Sequence, residues 1–226
     1  MNRFRSLPSD ITKSVLFLYI PPEDLDLYCG SDPLISLFCH DDANFIWYLK
    51  EKGLSKYLVN SDAGLAWAGG IGSELLLNLF LKRGAKNYDL AMASAAENGH
   101  ENIVEKMLAL GTNNYNQAMR YAAWNGHENI VERMLALGAD DYNGTMASAA
   151  LNGHERIVER MIALGANDYN GAMRIAASNG HERIIERMLE LGAKNYNGAM
   201  ASAAWNGHER IVERMLELGA NDYNGR

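Results

Sequence analysis

Gly192 to Leu218 reads GAKNYNGAMASAAWNGHERIVERMLEL, and this phrase recurs with few changes along most of the chain. Glycines fall at 84, 111, 138, 165, 192 and 219, tyrosines at 88, 115, 142, 169, 196 and 223, and histidines at 100, 127, 154, 181 and 208. Every interval is 27 residues, so five full copies run from Gly84 to Leu218 and a sixth begins at Gly219. Self-similarity at such a period marks a repeat array. A single unit cannot bury its apolar face alone, but stacked units bury a continuous core.

The copy from Gly165 to Leu191 resolves into two helices. Ala172, Met173, Ile175, Ala176 and Ala177 form a short first helix of mostly small residues, which lets neighbouring helix pairs approach closely. Asn179-Gly180 breaks it, because Asn-Gly favours a turn. A second helix is predicted from about Glu182 to Leu191. Ile184, Ile185, Met188, Leu189 and Leu191 lie on one face at helical spacing, and Glu182, Arg183, Glu186, Arg187 and Glu190 on the other. Arg183 with Glu186 and Arg187 with Glu190 are spaced as i,i+3 pairs. Gly192 is placed as a left-handed C-terminal cap, and a polar segment, Lys194 to Gly198, leads onward. The tyrosines read as packing residues between units, with the hydroxyl in water.

The bulk numbers narrow the function. Hydrophobic residues make up 48% and charged residues 22% of 226 residues, a folded protein's profile. A net charge of −7 works against nucleic acid and anionic membrane as partners, since both demand an excess of Lys and Arg. Two cysteines, Cys29 and Cys39, are too few for a disulfide framework and read as reduced thiols. With no targeting segment visible, they imply a cytoplasmic protein. The apolar run Val15 to Ile20 is too short to span a bilayer.

Asn98 to Gly111 (NGHENIVEKMLALG) and Asn206 to Ala220 (NGHERIVERMLELGA) resemble the second half of an ankyrin repeat, with Ala-Ala, two variable residues, Gly-His, an Ile-Val pair, a Leu-rich helix and Gly-Ala. The resemblance implies an all-α, ankyrin-like helix-pair solenoid. The unit is shorter than the family's usual ~33 residues and lacks its Thr-Pro-Leu-His signature, so the hairpin fingers are expected to be trimmed to short loops. Residues 57–83 read as a degenerate capping unit: Leu65 aligns with Met92, Gly72 with Gly99, Ser73 with the histidine, and Leu76-Leu77 with Ile-Val. Residues 84–226 hold the five regular units and the start of a sixth. The sequence NDYNGR at the C-terminus is expected to leave Ile211, Met215 or Leu216 partly uncovered.

Residues 1–56 do not share the period. Leu7-Pro8, an apolar pattern through Ile11, Val15, Leu16 and Ile20, the turn Pro21-Pro22-Glu23-Asp24-Leu25, then Cys29 and Trp47, resemble an F-box. That motif docks on the small adaptor subunit of a cullin-type ubiquitin ligase, which implies adaptor-binding roles for Leu7, Pro8, Ile11, Leu16, Pro22 and Leu25. F-box plus ankyrin array is similar to substrate receptors encoded by poxviruses and other large DNA viruses, which act in the host cytoplasm. The alternative is a plain helical cap on the array, with no ubiquitin link.

No enzyme, cofactor or metal is expected. Catalysis needs a convergent, asymmetric set of groups, whereas the histidines are copied once per unit, with no second ligand at metal spacing. They read as hydrogen-bonding residues at the start of each second helix. His40, Asp41 and Asp42 beside Cys39 read as a solvated turn. Gly69 to Gly72 is no nucleotide loop. The informative positions are those where the copies disagree: Ala93, Arg120, Ala147, Arg174 and Ala201; then Ser94, Tyr121, Ser148, Ile175 and Ser202; and, after Ala-Ala, Glu97, Trp124, Leu151, Ser178 and Trp205. In ankyrin arrays this helix lines the concave face. Arg120, Tyr121, Trp124, Leu151, Arg174, Ile175 and Trp205 are therefore the expected contacts to a target protein, with Trp, Tyr and Arg the types enriched at binding hot spots.

Overall fold

The structure, a computed structural model, describes residues 20–31 and 42–221. They fall into two compact bodies, one of residues 1–95 and 100–113, the other of residues 96–99 and 114–226. Every regular element among the described residues is helical.

In the first body, Pro22–Asp24 forms a single 3-10 turn leading into α1 (Leu25–Ser31). Then come α2 (Asp42–Glu51), α3 (Ser55–Val59), α4 (Ser61–Ile71), α5 (Glu74–Lys82), most of α6 (Tyr88–Glu97) and α7 (Glu101–Ala109). Leu25, Tyr48, Leu49, Leu65, Leu76, Leu77 and Phe80 are wholly buried. The Tyr48 hydroxyl donates to the Ile20 carbonyl at 2.9 Å, and burial pushes its phenol well above the usual range. Asp26 on α1 accepts from the Ser73 hydroxyl (2.7 Å) and from the Glu74 amide (2.6 Å). Ser73 in turn caps α5 by accepting from the Leu76 amide. A carboxylate at a helix N-terminus meets both unsatisfied amides and the positive end of the helix dipole, so α1 is fastened to α5. Cys29 is buried and disulfide-bonded, which overturns the expectation of reduced thiols. Cys39, His40 and Asp41 lie outside the described residues.

The second body repeats one helix pair. First helices are α8 (Tyr115–Trp124), α10 (Tyr142–Leu151), α12 (Tyr169–Ser178) and α14 (Tyr196–Trp205); second helices are α9 (Glu128–Ala136), α11 (Glu155–Ala163), α13 (Glu182–Glu190) and α15 (Glu209–Glu217). Each first helix packs on its own second helix and on the first helices beside it. The contact is made by Ala and Met: Ala122, Ala123, Ala149, Ala150, Ala176 and Ala177 are fully buried, as are Met119, Met146 and Met173. The second helices contribute Ile130, Met134, Ile157, Met161, Ile184, Ile185 and Met188. Leu189 and Leu191, expected on this apolar face, are only half-buried.

Two local expectations change. The first helix begins at the tyrosine, three residues before Ala172, so Asn170-Gly171 is its opening turn rather than a loop. The cause is an N-cap: Asp141, Asp168 and Asn195 accept from the amides of Gly144, Gly171 and Gly198 at 3.0, 2.9 and 3.1 Å. Arg183 does not pair with Glu186. It reaches back to Glu155 of the preceding unit (3.6 Å) while Glu186 takes Arg214 (2.9 Å); Arg187 with Glu190 does form.

Where a hairpin finger would project, a short loop is held by one asparagine. Oδ1 of Asn116 accepts from the amides of Asp140 and Asp141, Asn143 from Asn167 and Asp168, and Asn170 from Lys194 and Asn195, at 2.8 to 3.1 Å. In the first body Asp62 does the same for Lys86 and Asn87, and those amides hold its carboxyl below the ordinary range. Asn143→Ala leaves two backbone donors to water and is expected to cost about 1 kcal/mol, read from denaturant unfolding, with the helical circular dichroism signal kept.

Candidate functional site

Several side chains of each first helix point away from the packed side. In α8 these are Gln117, Arg120, Tyr121 and Trp124, spaced i, i+3, i+4 and i+7, which places them on one face. Arg120 is exposed, Gln117 and Tyr121 are half-buried, and Trp124 is 44% exposed. The same face carries Ala147, Ser148 and Leu151 in α10, Arg174, Ile175 and Ser178 in α12, and Ala201, Ser202 and Trp205 in α14. Leu151 and Ile175 are half-buried, Arg174 is exposed, and Trp205 is 90% exposed. All seven residues expected from sequence to meet a target thus lie on one kind of surface, the solvent side of the first helices of the second body.

Helix ends hold this surface rigid through a joint between units. Nε2 of His127, His154, His181 and His208 bonds to the carbonyls of Glu97, Trp124, Leu151 and Ser178, thirty residues earlier, at 2.9 to 3.1 Å. Each acceptor is the last residue of a first helix, where carbonyls lack an intrahelical partner. Asn125 and Asn152 add a second bond to the same carbonyls of Glu97 and Trp124, at 2.6 and 2.7 Å. The imidazole lies against a left-handed glycine of the unit before: a Cβ on Gly126, at φ +80°, would stand 2.6 Å from the His154 ring. The histidines do stand at second-helix starts, as expected, but none caps its own helix by a side-chain bond.

Gly207 has no such imidazole neighbour among the described residues. No described atom lies within 4 Å of a Cβ added there. Of the residues expected to lose cover near the C-terminus, Ile211 and Met215 are buried and Leu216 is half-buried. Ala204 and Trp205 are exposed and Val212 half-buried instead, where Ala150, Ala177 and Val158 are covered.

Charges on the second helices neutralise one another. Arg160 grips Glu132 with two bonds (2.7 and 3.0 Å), Arg187 grips Glu159 (2.7 and 3.3 Å) and Arg214 grips Glu186 (2.9 and 3.1 Å). These pairs stand in the grooves between second helices. Among the described residues, no cluster of His, Cys, Asp or Glu could hold a metal ion.

Of the expected adaptor-binding residues, Leu7, Pro8, Ile11 and Leu16 lie outside the described residues. Pro22 is half-buried at the start of the 3-10 turn. Leu25 is wholly buried and serves the core. The exposed apolar residues of α1 are Leu27 (68%) and Tyr28 (42%), which the sequence reading passed over. Burial of Leu25 with Cys29, one helical turn on, and the bonds of Asp26 to α5 leave Leu27 and Tyr28 turned outward.

The family model described as ankyrin repeats, in three copies, matches residues 65–144 and 146–225. No curated protein matches the chain. Among solved structures, the human ASB11 ankyrin repeat domain superposes with a TM-score of 0.54 at 20% sequence identity, over 72% of this chain and 88% of that one.

Proposed function

This chain belongs to the ankyrin repeat family, and from that premise we propose that it is a protein-binding module, not an enzyme, which holds a target on the exposed face of its first helices. The observation that carries the reading is a division of labour among positions. Residues that recur in every unit form the core and the joints. Those that differ, Arg120, Tyr121, Trp124, Leu151, Arg174, Ile175 and Trp205, stand together at the solvent side. A tryptophan left 90% exposed is apolar surface with a strong gain from burial. The test is affinity capture by the full chain and by a variant with Trp124→Ala, Arg174→Ala and Trp205→Ala. Captured protein should fall at least ~tenfold with the melting curve unchanged. An identical captured set would sink the assignment.

The N-terminal segment extends the proposal to a substrate receptor that joins the target to a ubiquitin-ligase adaptor. In support stand the F-box resemblance from Leu7 to Trp47 and the exposed Leu27 and Tyr28 beside the Pro22 turn. Host cytoplasm as the place of action follows from this role and no longer from the cysteines. Binding of a purified adaptor subunit to the full chain should weaken on combining Leu7→Ala, Pro8→Ala and Leu27→Ala. Leu25 is left intact because its loss would open the core. If the intact chain binds no adaptor, the segment reverts to a plain cap, as the Asp26 fastening to α5 would suit.

A further inference from the structure

We infer that the first-helix face of the second body is built for an acidic segment of its protein partner, whose carboxylate sits on Arg174 with an apolar neighbour against Ile175 and Trp205. The inference rests on the assignment of this face as the target surface and names the chemistry it selects.

The starting point is a difference between two otherwise equivalent arginines. Arg120 and Arg174 occupy the same position of α8 and α12, 54 residues apart. Arg120 has a counter-charge, the Asp141 carboxylate at 3.8 Å, from the loop of the next unit. The residue equivalent to Asp141 beside Arg174 is Asn195, which is neutral, and the residue before it is Lys194, where the other loop has Asp140. No carboxylate stands within ion-pair distance of Arg174 among the described residues. So the acidic loop that offsets Arg120 is replaced, beside Arg174, by one carrying a further positive charge. This occurs in a chain of net charge −7, on the side away from the Glu-Arg pairs.

Shape supports the same occupant. The positions level with Arg174 on the neighbouring helices are Ala147 and Ala201, so the guanidinium is open from both sides. A planar guanidinium with free donors suits a carboxylate in two-point contact. Half-buried Ile175 and Leu151 and exposed Trp205 supply apolar surface on the same face. An arginine and a tryptophan presented together match the anchors that dominate protein interfaces.

Asn195 allows a test that leaves the fold alone. Its side chain caps the Gly198 amide at 3.1 Å, as the Asp141 and Asp168 carboxylates cap Gly144 and Gly171. Asn195→Asp should therefore keep the cap while giving Arg174 the counter-charge that Arg120 has. The probe is a displayed library of random peptides of about twelve residues selected on the immobilised full chain, the length being enough to cross two neighbouring helices. Enriched peptides should carry Asp or Glu beside an apolar residue. Their affinity should fall about tenfold both on Arg174→Glu and on Asn195→Asp. Enriched peptides without acidic residues that are still lost on Trp205→Ala would overturn the inference and leave the target face standing. Peptides indifferent to all three changes, or no enrichment at all, would overturn both.

Discussion

Gly126→Ala is expected to destabilise the protein by roughly 3 kcal/mol, lowering the melting temperature by roughly 6–12 °C for a chain of this size. Two costs add. The residue sits at φ +80°, where an L side chain is strained by about 1–2 kcal/mol. The new methyl would also stand 2.6 Å from the His154 ring, which is pinned by its 2.9 Å bond to the Trp124 carbonyl. Relief requires that ring to move, and the carbonyl at the end of α8 then loses a donor. Gly207→Ala is the built-in control. Its φ of +76° is nearly the same, but no described residue lies within 4 Å of the added atom. Only the conformational cost of about 1–2 kcal/mol should remain. Equal effects at the two sites would show that the histidine joint contributes nothing to stability.

The second large effect uses the same comparison on the packed side. Ala150 and Ala204 are equivalent residues of α10 and α14, yet Ala150 is wholly buried and Ala204 is exposed. Ala150→Leu pushes three extra carbons into the seam between α10 and α12 and is expected to cost about 2–3 kcal/mol through overpacking. Ala204→Leu should lie within about 0.5 kcal/mol of the parent, the range of surface substitutions. Chemical unfolding of both variants measures the difference. A neutral Ala150→Leu would mean that the first helices do not pack as closely as their alanines indicate.

Both comparisons depend on residues that were legible in sequence and on neighbours that were not. The period, the two helices per unit and the glycine caps could be read because each signal is local and repeated five times. Gly192 does adopt φ +95°, and Asn179-Gly180 does end α12. What the histidine touches could not be read, because its acceptor lies thirty residues away in another unit. Arg183 shows the same limit: Glu155 of the preceding unit proved nearer than the i,i+3 partner on its own helix. The Tyr-Asn-Gly segment reads as a loop in sequence because it stands where the family's hairpin finger would be. The Asx residue before the tyrosine was the available sign of an N-cap. In the candidate site, exposure of Arg120, Arg174, Trp124 and Trp205 follows from helical spacing once the buried Ala-Ala pair is fixed. On α1, Leu25 and Leu27 could not be sorted, because a seven-residue helix shows too few turns to reveal which stripe faces in.

The joint also bears on how such a protein can change over generations. Each internal unit carries the socket, a left-handed glycine and a terminal carbonyl, and the plug, a histidine, in the same register. The halves fit because every unit is cut to one pattern, so the coupling does not record which unit stands beside which. Exchanging two internal copies, or duplicating one, would preserve every seam while permuting the outward residues. The coupling thus acts as a grammar in which the outward letters can be reordered without rewriting the syntax.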